Sequence, residues 1–380
     1  MAGKLGIPLA VESVDIMICL RETWRHMATV SGFDPLFAAL EDCFSGKIQN
    51  IFVPHHSNAK EKSSLPEKIW RKIKPSVQVE ANKIADSPFV ECRHETVSTE
   101  VLRIAELHNK ALVFLSAGEN QYGNTFANSS DSIRRRIAIC LHQPPSWLRL
   151  NWRDFSTLNG LGAIICLSRE QTDFMTGICT TPTIFLRHGV NHDFFRPAKS
   201  STLGSTPRLI FVGQWLRDFD VLAAAMELIW REQPETRLDC VIIRGARCHP
   251  ALMRLARDQR VHWHADIAPE ELLKLYQHAT LLFLPLIDSV ANNAIVEALA
   301  TGLPVVSTRV GGVADYVPEA AGELCGPGNI ADHAEAVLRW LPDRERCTKA
   351  SFVGREFAET SLDWGHIAGN LVSELQPLFF

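Results

Sequence analysis

The sequence lacks the features by which membrane-spanning and metal-binding proteins are usually identified. No uninterrupted apolar run approaches the length that crosses a bilayer, and Met1–Ala10 has too little apolar length for a signal peptide. The ten cysteines are scattered, without close pairs or the Cys/His spacing of a zinc site. We therefore expect a cytoplasmic protein with reduced, mostly buried thiols and no metal site.

A strong excess of charge, internal repeats and low-complexity segments are also missing. The 39 basic and 43 acidic residues give a net charge of −4, which does not indicate general binding to nucleic acid. A hydrophobic content of 46% and a charged content of 22% are ordinary for a globular protein. At 380 residues the chain exceeds what one core normally serves, so two domains are expected.

The most informative segment is residues 279–308, which predicts a strand, a loop, a helix and a second strand. The apolar run Ala279–Pro285 is typical of a buried parallel strand. A helix should follow, because apolar residues recur at helical spacing before the Thr301-Gly302 stop signal. A second strand should begin at Pro304. The intervening loop therefore lies at the carboxyl end of a parallel strand, where open α/β sheets bind ligands.

The start of this helix is a candidate anion site. Its first amides, around Asn293 and Ala294, have no intrahelical partner and could bind a phosphate. Glu297 is one turn into the helix and is its single carboxylate. The alternative is structural: Asn292 or Asn293 would be only an N-cap, and Glu297 a partner of the helix dipole.

The same segment resembles the nucleotide-sugar site of the GT-B glycosyltransferases of family 4. That family has an acidic residue, seven others, then Glu-Ala-Leu/Met-Ala-x-Gly-x-Pro-Val-Val, followed by Gly-Gly. Glu297 matches the second acid, and Gly311-Gly312 continue the pattern. Ser289 stands where the first acid would be, with Asp288 beside it, and the resemblance implies that both belong to the donor-binding site. The loss of the acid at Ser289 departs from the family's usual contact to the donor hexose. The resemblance is strong over residues 205–330, moderate over 135–200 and faint before 130.

Apolar strands alternate with helical segments in both halves of the chain and predict βαβ units. The expected strands lie at residues 14–20, 111–115, 137–141, 161–167, 208–212, 239–243 and 260–264. A stretch with Pro and Ser, residues 196–207, interrupts this pattern as an interdomain linker. One oversized doubly wound domain is disfavoured, because the linker separates two roughly equal halves.

The expected fold is therefore α/β and of the GT-B type, with two Rossmann-like βαβ domains facing each other across a cleft. Residues 1–197 would form the acceptor-binding domain and residues 206–355 the domain that binds the nucleotide sugar. Residues 351–375 look helical. The resemblance implies that a C-terminal helix, residues 356–380, crosses back to the N-terminal domain.

The loop after the first C-terminal strand provides candidate phosphate contacts. The family usually has Gly-Arg, a short loop and Lys here, and this chain has Gly213, with Gln214 at the Arg position and Arg217 at the Lys position. Arg217 can bind a phosphate through two hydrogen bonds. Its alternative is a surface arginine paired with a neighbouring aspartate. Arg244, at the end of the next strand, is a weaker candidate for a phosphate or base contact.

Three further candidates lie in the N-terminal half. His142 follows an apolar strand and resembles the family's strand-end histidine that faces the donor, although a loop-stabilising histidine is the alternative. Glu119, after another strand, would bind the acceptor hydroxyl or act as its base, although a solvated loop acid is the favoured interpretation. Ser31 begins a small-residue helix entry that could approach a ligand or simply cap the helix.

The resemblance implies a retaining transfer of a hexose from a nucleotide-diphosphate sugar to a hydroxyl acceptor on a glycan, glycolipid or small molecule. Arg217, with His142 and Glu119, would be catalytic, and amides near Ala294 would stabilise the leaving diphosphate. Glu297 would bind the ribose, and neither a metal nor another cofactor is expected. Two alternatives stay open: a GT-B sugar-nucleotide epimerase and a non-catalytic nucleotide-sugar-binding protein, which the departures at Ser289 and Gln214 favour.

Residues 60–74 concentrate positive charge. They hold six basic and two acidic side chains, and a helix over Leu65–Ile73 would place Leu65, Ile69 and Ile73 on one face. This pattern predicts peripheral contact with an anionic membrane at its inner face. The alternative is a solvated helix packed on the N-terminal domain. The expected partners are otherwise the donor and the acceptor, with no nucleic acid.

Overall fold

A computed structural model describes residues 15–23, 30–54, 95–199 and 206–379, which form two parallel six-stranded β-sheets with helices packed around them. Residues 60–74, with their predicted membrane contact, lie outside the described residues. Within the described ranges, no helix combines the length and the apolar character required to cross a bilayer. The expectation of two βαβ sheets is confirmed.

The N-terminal sheet has the strand order β2-β1-β3-β4-β5-β6. Its strands are β1 (Ile16–Thr23), β2 (Lys47–Pro54), β3 (Ala111–Leu115), β4 (Ile137–Leu141), β5 (Ala163–Cys166) and β6 (Thr183–Phe185). The central strands β3 and β4 are buried along their whole length, as continuous apolar runs in a parallel sheet should be. Strands β2 and β6 at the two edges were not expected from the sequence.

The C-terminal sheet has the order β12-β11-β10-β7-β8-β9. Its strands are β7 (Arg208–Val212), β8 (Arg237–Val241), β9 (Val261–His264), β10 (Leu281–Leu284), β11 (Val305–Thr308) and β12 (Gly322–Cys325). Strand β10 pairs with both β7 and β11, so the loops after these strands meet at one edge of the sheet.

The helices of the N-terminal half are α1 (Pro35–Cys43), α2 (Glu95–Leu107), α3 (Gly118–Gln121), α4 (Asn124–Ala127), α5 (Asp131–Arg134), α6 (Pro145–Asn151) and α7 (Arg169–Ile178). Those of the C-terminal half are α8 (Phe219–Glu232), α9 (Pro250–Leu255), α10 (Pro269–His278), α11 (Asn293–Ala300), α12 (Val313–Tyr316), α13 (Ile330–Trp340), α14 (Arg344–Ser361) and α15 (Trp364–Phe379).

The C-terminal helix crosses to the N-terminal domain. Helix α14 packs on the C-terminal core, whereas Trp364 and Leu371 of α15 share a core with Leu36 and Phe37 of α1. The single helix expected over residues 351–375 is two helices, because the chain turns at Leu362 and Asp363. The Asp363 carboxylate accepts the backbone N–H of His366 at 2.9 Å and so caps α15.

Candidate active site

A cavity of about 260 Å³ lies between the two sheets. Its walls are loops that follow the carboxyl ends of strands in both domains, from β1, β3, β4, β5 and β6 on one side and from β7 and β10 on the other. His142, Arg217, Glu119, Asn292 and Asn293 all line it. The cavity therefore lies where parallel α/β sheets bind ligands.

Helix α11 begins at the wall of this cavity and is capped by Asn292. The Asn292 side-chain oxygen accepts the backbone N–H of Ala294 at 3.2 Å, so this amide is not an open donor as the sequence suggested. The same oxygen accepts a hydrogen bond from Arg217 Nη2 at 3.3 Å. The cap thus connects the helix N-terminus to a cation, and both features favour an anion.

Arg217 is fixed by its own loop. Its Nε donates to the Val212 carbonyl at 2.9 Å, and its Nη1 donates to the Trp215 carbonyl at 2.8 Å. Gly213 permits this arrangement because its φ is +89° and a Cβ there would lie 2.7 Å from Arg217 Nη2. Burial lowers the pKa of Arg217 to about 10, which leaves it a cation at neutral pH.

The alternative of a surface arginine paired with a neighbouring aspartate does not describe this site. The Asp218 carboxylate instead accepts the backbone N–H of Val221 at 2.9 Å and caps α8. Asp220 is exposed in the first turn of that helix.

Glu297 is buried, with 4% of its surface exposed. It lies behind Ser31 and does not line the 260 Å³ cavity. The Ser31 hydroxyl donates to Oε1 at 2.5 Å, and the Tyr276 hydroxyl donates to Oε2 at 2.9 Å. Burial raises the pKa of Glu297 to about 7, although both hydroxyls and the Arg217 charge act in the opposite direction. Ser31 therefore does not cap α1; it contacts the opposite domain.

Asp288 and Ser289 do not line the cavity. One Asp288 oxygen accepts the backbone N–H of Ser289 at 2.7 Å, and the other accepts the Ser146 hydroxyl from the N-terminal domain. The Ser289 carbonyl accepts the Gly312 N–H at 2.9 Å. A Cβ at Gly311 would lie 1.9 Å from that carbonyl, so the Gly-Gly pair allows the two loops to pack.

Arg244 also lies outside the cavity. Its side chain is 81% exposed and approaches the Asp266 carboxylate at 3.5 Å. The strand before it ends at Val241, so the chain has already left the sheet when it reaches Arg244. The predicted phosphate or base contact of Arg244 stays a prediction.

Glu119 is hydrogen-bonded to the main chain of His142. Both Glu119 oxygens accept the backbone N–H of His142, at 3.1 and 3.2 Å, and Glu119 is only 7% exposed. The interpretation of Glu119 as a solvated loop acid is therefore wrong. The His142 Nε2 lies 2.7 Å from the Ser116 carbonyl, which places the proton on Nε2, and the ring packs edge-on to Phe33 at 4.9 Å.

Sequence reasoning missed His188, which lines the cavity beside His142. Burial lowers the pKa of His188 to about 3, so its ring is neutral. Its backbone N–H donates to the Tyr316 hydroxyl of the C-terminal domain at 2.8 Å, and that hydroxyl donates to the Leu167 carbonyl at 2.6 Å. His188 lies between β6 and the predicted linker, and no local pattern indicated that this segment faces the cleft.

No metal centre was found among the residues that the structure describes: no group of three or more His, Cys, Asp and Glu side chains could hold an ion. The described cysteines are free thiols, and most of them are buried.

The known proteins that this chain resembles in sequence are glycosyltransferases. Residues 206–343 match the family model "Glycosyl transferases group 1". The chain is 30% identical over 192 residues to a D-inositol 3-phosphate glycosyltransferase of Nocardia farcinica, covering 47% of this chain and 42% of that protein. It is 27% identical over 214 residues to a GDP-mannose-dependent alpha-(1-6)-phosphatidylinositol monomannoside mannosyltransferase of Mycobacterium tuberculosis, covering 50% and 55%. The chain thus spans about half the length of these curated relatives.

Solved structures share the fold over nearly the whole chain. Sucrose-phosphate synthase from Thermosynechococcus elongatus has a TM-score of 0.70 at 18% identity and covers 96% of this chain and 99% of its own. HepE of Anabaena, crystallised with UDP and glucose, has a TM-score of 0.66 at 14% identity and covers 95% and 99%. The chain therefore has the GT-B fold, and its residues 206–343 are similar to glycosyl transferases group 1.

Proposed function

We propose that the protein is a glycosyltransferase that moves a hexose from a nucleotide-diphosphate sugar to a hydroxyl acceptor, with retention and without a metal. The observation that carries the proposal is the hydrogen bond of Arg217 to Asn292, which holds a cation at the N-terminus of α11 inside the cavity. The glycosyltransferase relatives and the UDP complex of HepE support it.

The leaving diphosphate would bind against Arg217 and the start of α11. Two backbone carbonyls and Asn292 fix the guanidinium before any ligand arrives. A donor that is already oriented stabilises developing charge without reorganisation at the moment of reaction. This positive site takes the place of a metal ion in neutralising the departing phosphate.

The donor ribose would bind Glu297 by replacing the Ser31 hydroxyl. Ser31 belongs to the N-terminal domain and occupies Oε1, the oxygen that faces across the cleft. A ribose hydroxyl is the same kind of donor, so the exchange conserves the hydrogen bond of the buried carboxylate. Donor binding is then coupled to the contact between the two domains.

The acceptor would enter from the N-terminal side and attack the face from which the nucleotide leaves. His142 lines the cavity from this side and would contact the donor sugar or its phosphate. Glu119 contacts the main chain of His142 with both oxygens, so in this arrangement it orients the histidine and is poorly placed as a covalent nucleophile. This favours retention without a glycosyl-enzyme intermediate.

Incubation with a panel of nucleotide sugars and candidate hydroxyl acceptors tests the proposal. We expect free nucleotide to appear with one donor, a product with the donor's anomeric configuration by NMR, and no loss of activity in EDTA. Inversion would contradict the proposed mechanism, and an absolute Mg²⁺ or Mn²⁺ requirement would contradict metal-free transfer. Binding without turnover would indicate a non-catalytic binding protein, and an epimeric nucleotide sugar would indicate an epimerase.

We also propose that the protein is cytoplasmic and associates peripherally with the inner face of an anionic membrane through residues 60–74. The support is the composition of that segment, six basic side chains against two acidic ones. Sedimentation with anionic and neutral vesicles tests it. Salt-sensitive binding to the anionic vesicles that is lost in Lys68→Glu/Arg71→Glu/Lys72→Glu is expected, whereas equal recovery in every supernatant would reject it.

A further inference from the structure

The buried carboxylate of Glu297 receives hydroxyl hydrogen bonds from both domains. Ser31, in the loop after β1, donates to Oε1 at 2.5 Å, and Tyr276 of α10 donates to Oε2 at 2.9 Å. The sequence assigned a role to Glu297 but none to Tyr276. The two hydroxyls occupy different oxygens, so one can change while the other stays.

Tyr276 is the fixed partner of the two. Its ring is 1% exposed, belongs to the core of the C-terminal domain and packs edge-on to Phe195 at 6.2 Å. Its hydroxyl and Glu297 lie in the same domain, so a change in the angle between the domains leaves their contact intact. Ser31 lies across the cleft, in the other domain, so its contact with Glu297 depends on how the two domains meet.

We propose that Tyr276 is a positioning residue for donor binding, whose hydroxyl orients the Glu297 carboxylate so that its other oxygen faces the cleft and accepts a donor hydroxyl. This inference rests on the proposed function, because it assumes that a ribose replaces Ser31. It extends that function to a residue buried behind the site.

Loss of the Tyr276 hydroxyl should shift the pKa of Glu297 in one direction only. Among the described residues, three groups act on the Glu297 carboxylate: the Tyr276 hydroxyl from α10, the Ser31 hydroxyl from the segment before α1, and the Arg217 guanidinium from the loop after β7. All three favour the ionised carboxylate and oppose burial, which raises its pKa to about 7. Removal of the Tyr276 hydroxyl takes away one of them, so the pKa of Glu297 should rise further.

The first test is the pH dependence of donor kcat/KM for Tyr276→Phe, since this ratio reports the groups of the free enzyme. In the parent, kcat/KM should fall below pH 7 as Glu297 gains a proton. In the variant this limb should move up by about one pH unit, as expected when a hydrogen bond to a charged group is lost. Activity near pH 7 should then drop by up to about tenfold and recover near pH 9.

Tyr122→Phe is the matched control. It also removes one buried tyrosine hydroxyl, which donates to the Thr157 carbonyl at 2.7 Å in the N-terminal domain. Its pH profile should match that of the parent. If Tyr276→Phe lowers kcat/KM equally at every pH, or leaves it unchanged, Tyr276 does not position the carboxylate and the inference is overturned.

A second readout does not need turnover. The Glu297 carboxyl carbon can be followed by ¹³C NMR, with its signal assigned by its loss in Glu297→Gln. The titration midpoint should be higher in Tyr276→Phe than in the parent and the same in Tyr122→Phe. Equal midpoints in all three proteins would overturn the inference. If no nucleotide sugar reacts, the proposed function fails, while this titration still decides whether Tyr276 controls the carboxylate.

Discussion

The two walls of the cleft are built in different ways. On the C-terminal wall, Arg217 packs against Gly213 and donates to Asn292, so two loops of one sheet meet there. On the N-terminal wall, His142 and His188 come from different strands and pack around the ring of Phe33. The C-terminal wall is thus built from two loops that lie side by side, whereas the N-terminal wall brings together residues that follow separate strands.

This difference indicates a division of labour. The proposed anion site uses a glycine, a helix cap and one arginine from two loops of one sheet, and its Arg217–Asn292 contact joins residues 75 positions apart. The proposed acceptor side instead uses side chains that follow several strands of the N-terminal sheet. The family model covers residues 206–343, on the C-terminal side, which is consistent with a shared donor and a variable acceptor.

The largest expected effect tests the C-terminal wall. Arg217→Ala should reduce turnover about a hundredfold, because loss of one group that stabilises developing charge typically has this effect. The fold should persist, since the guanidinium contacts loop carbonyls and an asparagine side chain. Single-turnover rates at saturating donor measure the effect, and a rate within about twofold of the parent would remove Arg217 from the mechanism.

Glu297→Ala should weaken donor binding by about ten- to a hundredfold, since hydrogen bonds to a charged group are worth roughly 1.5–3 kcal/mol each. Unfolding should remain cooperative, because the substitution removes a buried charge. Burial raises the folded-state pKa of Glu297 from 4.5 to about 7, so its stabilising contribution is fullest below pH 4.5 and is lost as pH rises through 7. The melting temperature of Glu297→Ala should therefore exceed that of the parent by the largest margin above pH 7. An unchanged donor dissociation constant would contradict the ribose contact.

The next effect tests the N-terminal wall. Glu119→Gln should lower kcat/KM by about tenfold, because a neutral amide holds the His142 backbone less strongly than a carboxylate does. Donor binding should change less than turnover. If Glu119 were instead an essential base, Glu119→Gln would abolish activity, and full activity would deny Glu119 any role in the site.

The smallest effect concerns the contact between the walls. Ser31→Ala removes the hydroxyl that the donor would have to replace. Its loss should also raise the pKa of Glu297, so the comparison is made at about pH 9, where Glu297 is still largely ionised and the donor should bind a few-fold more tightly. Calorimetry at that pH measures this. Binding weakened by tenfold would show that Ser31 itself contacts the donor.

The sequence predicted the parts of the molecule that depend on local order. The predicted apolar strands correspond to β3, β4, β7 and β10. The Asn292 cap was one of the two interpretations given for the start of α11. Strand β2 was missed because its sequence, with Lys47, Gln49 and Asn50, lacks the continuous apolar character of a central strand. The break before α15 was missed although Asp363 carries a readable N-cap signal.

The rest of the site depends on contacts between distant residues. Ser31 and Glu297 are 266 positions apart, and nothing near either of them indicates the hydrogen bond. The burial of Glu119 follows from its packing beneath the loop after β4, whereas its local sequence is polar. Asp288 accepts the Ser146 hydroxyl of the other domain, and the sequence near either residue does not indicate this contact.

Calorimetric titration with UDP, GDP and ADP tests the anion site at Arg217 most directly. The proteins to compare are the parent, Arg217→Ala and Arg231→Ala, the last an exposed arginine in the final turn of α8 and remote from the cavity. The account predicts that one nucleotide binds the parent, that Arg217→Ala weakens it at least tenfold, and that Arg231→Ala stays within twofold. Equal affinities for all three proteins would contradict it.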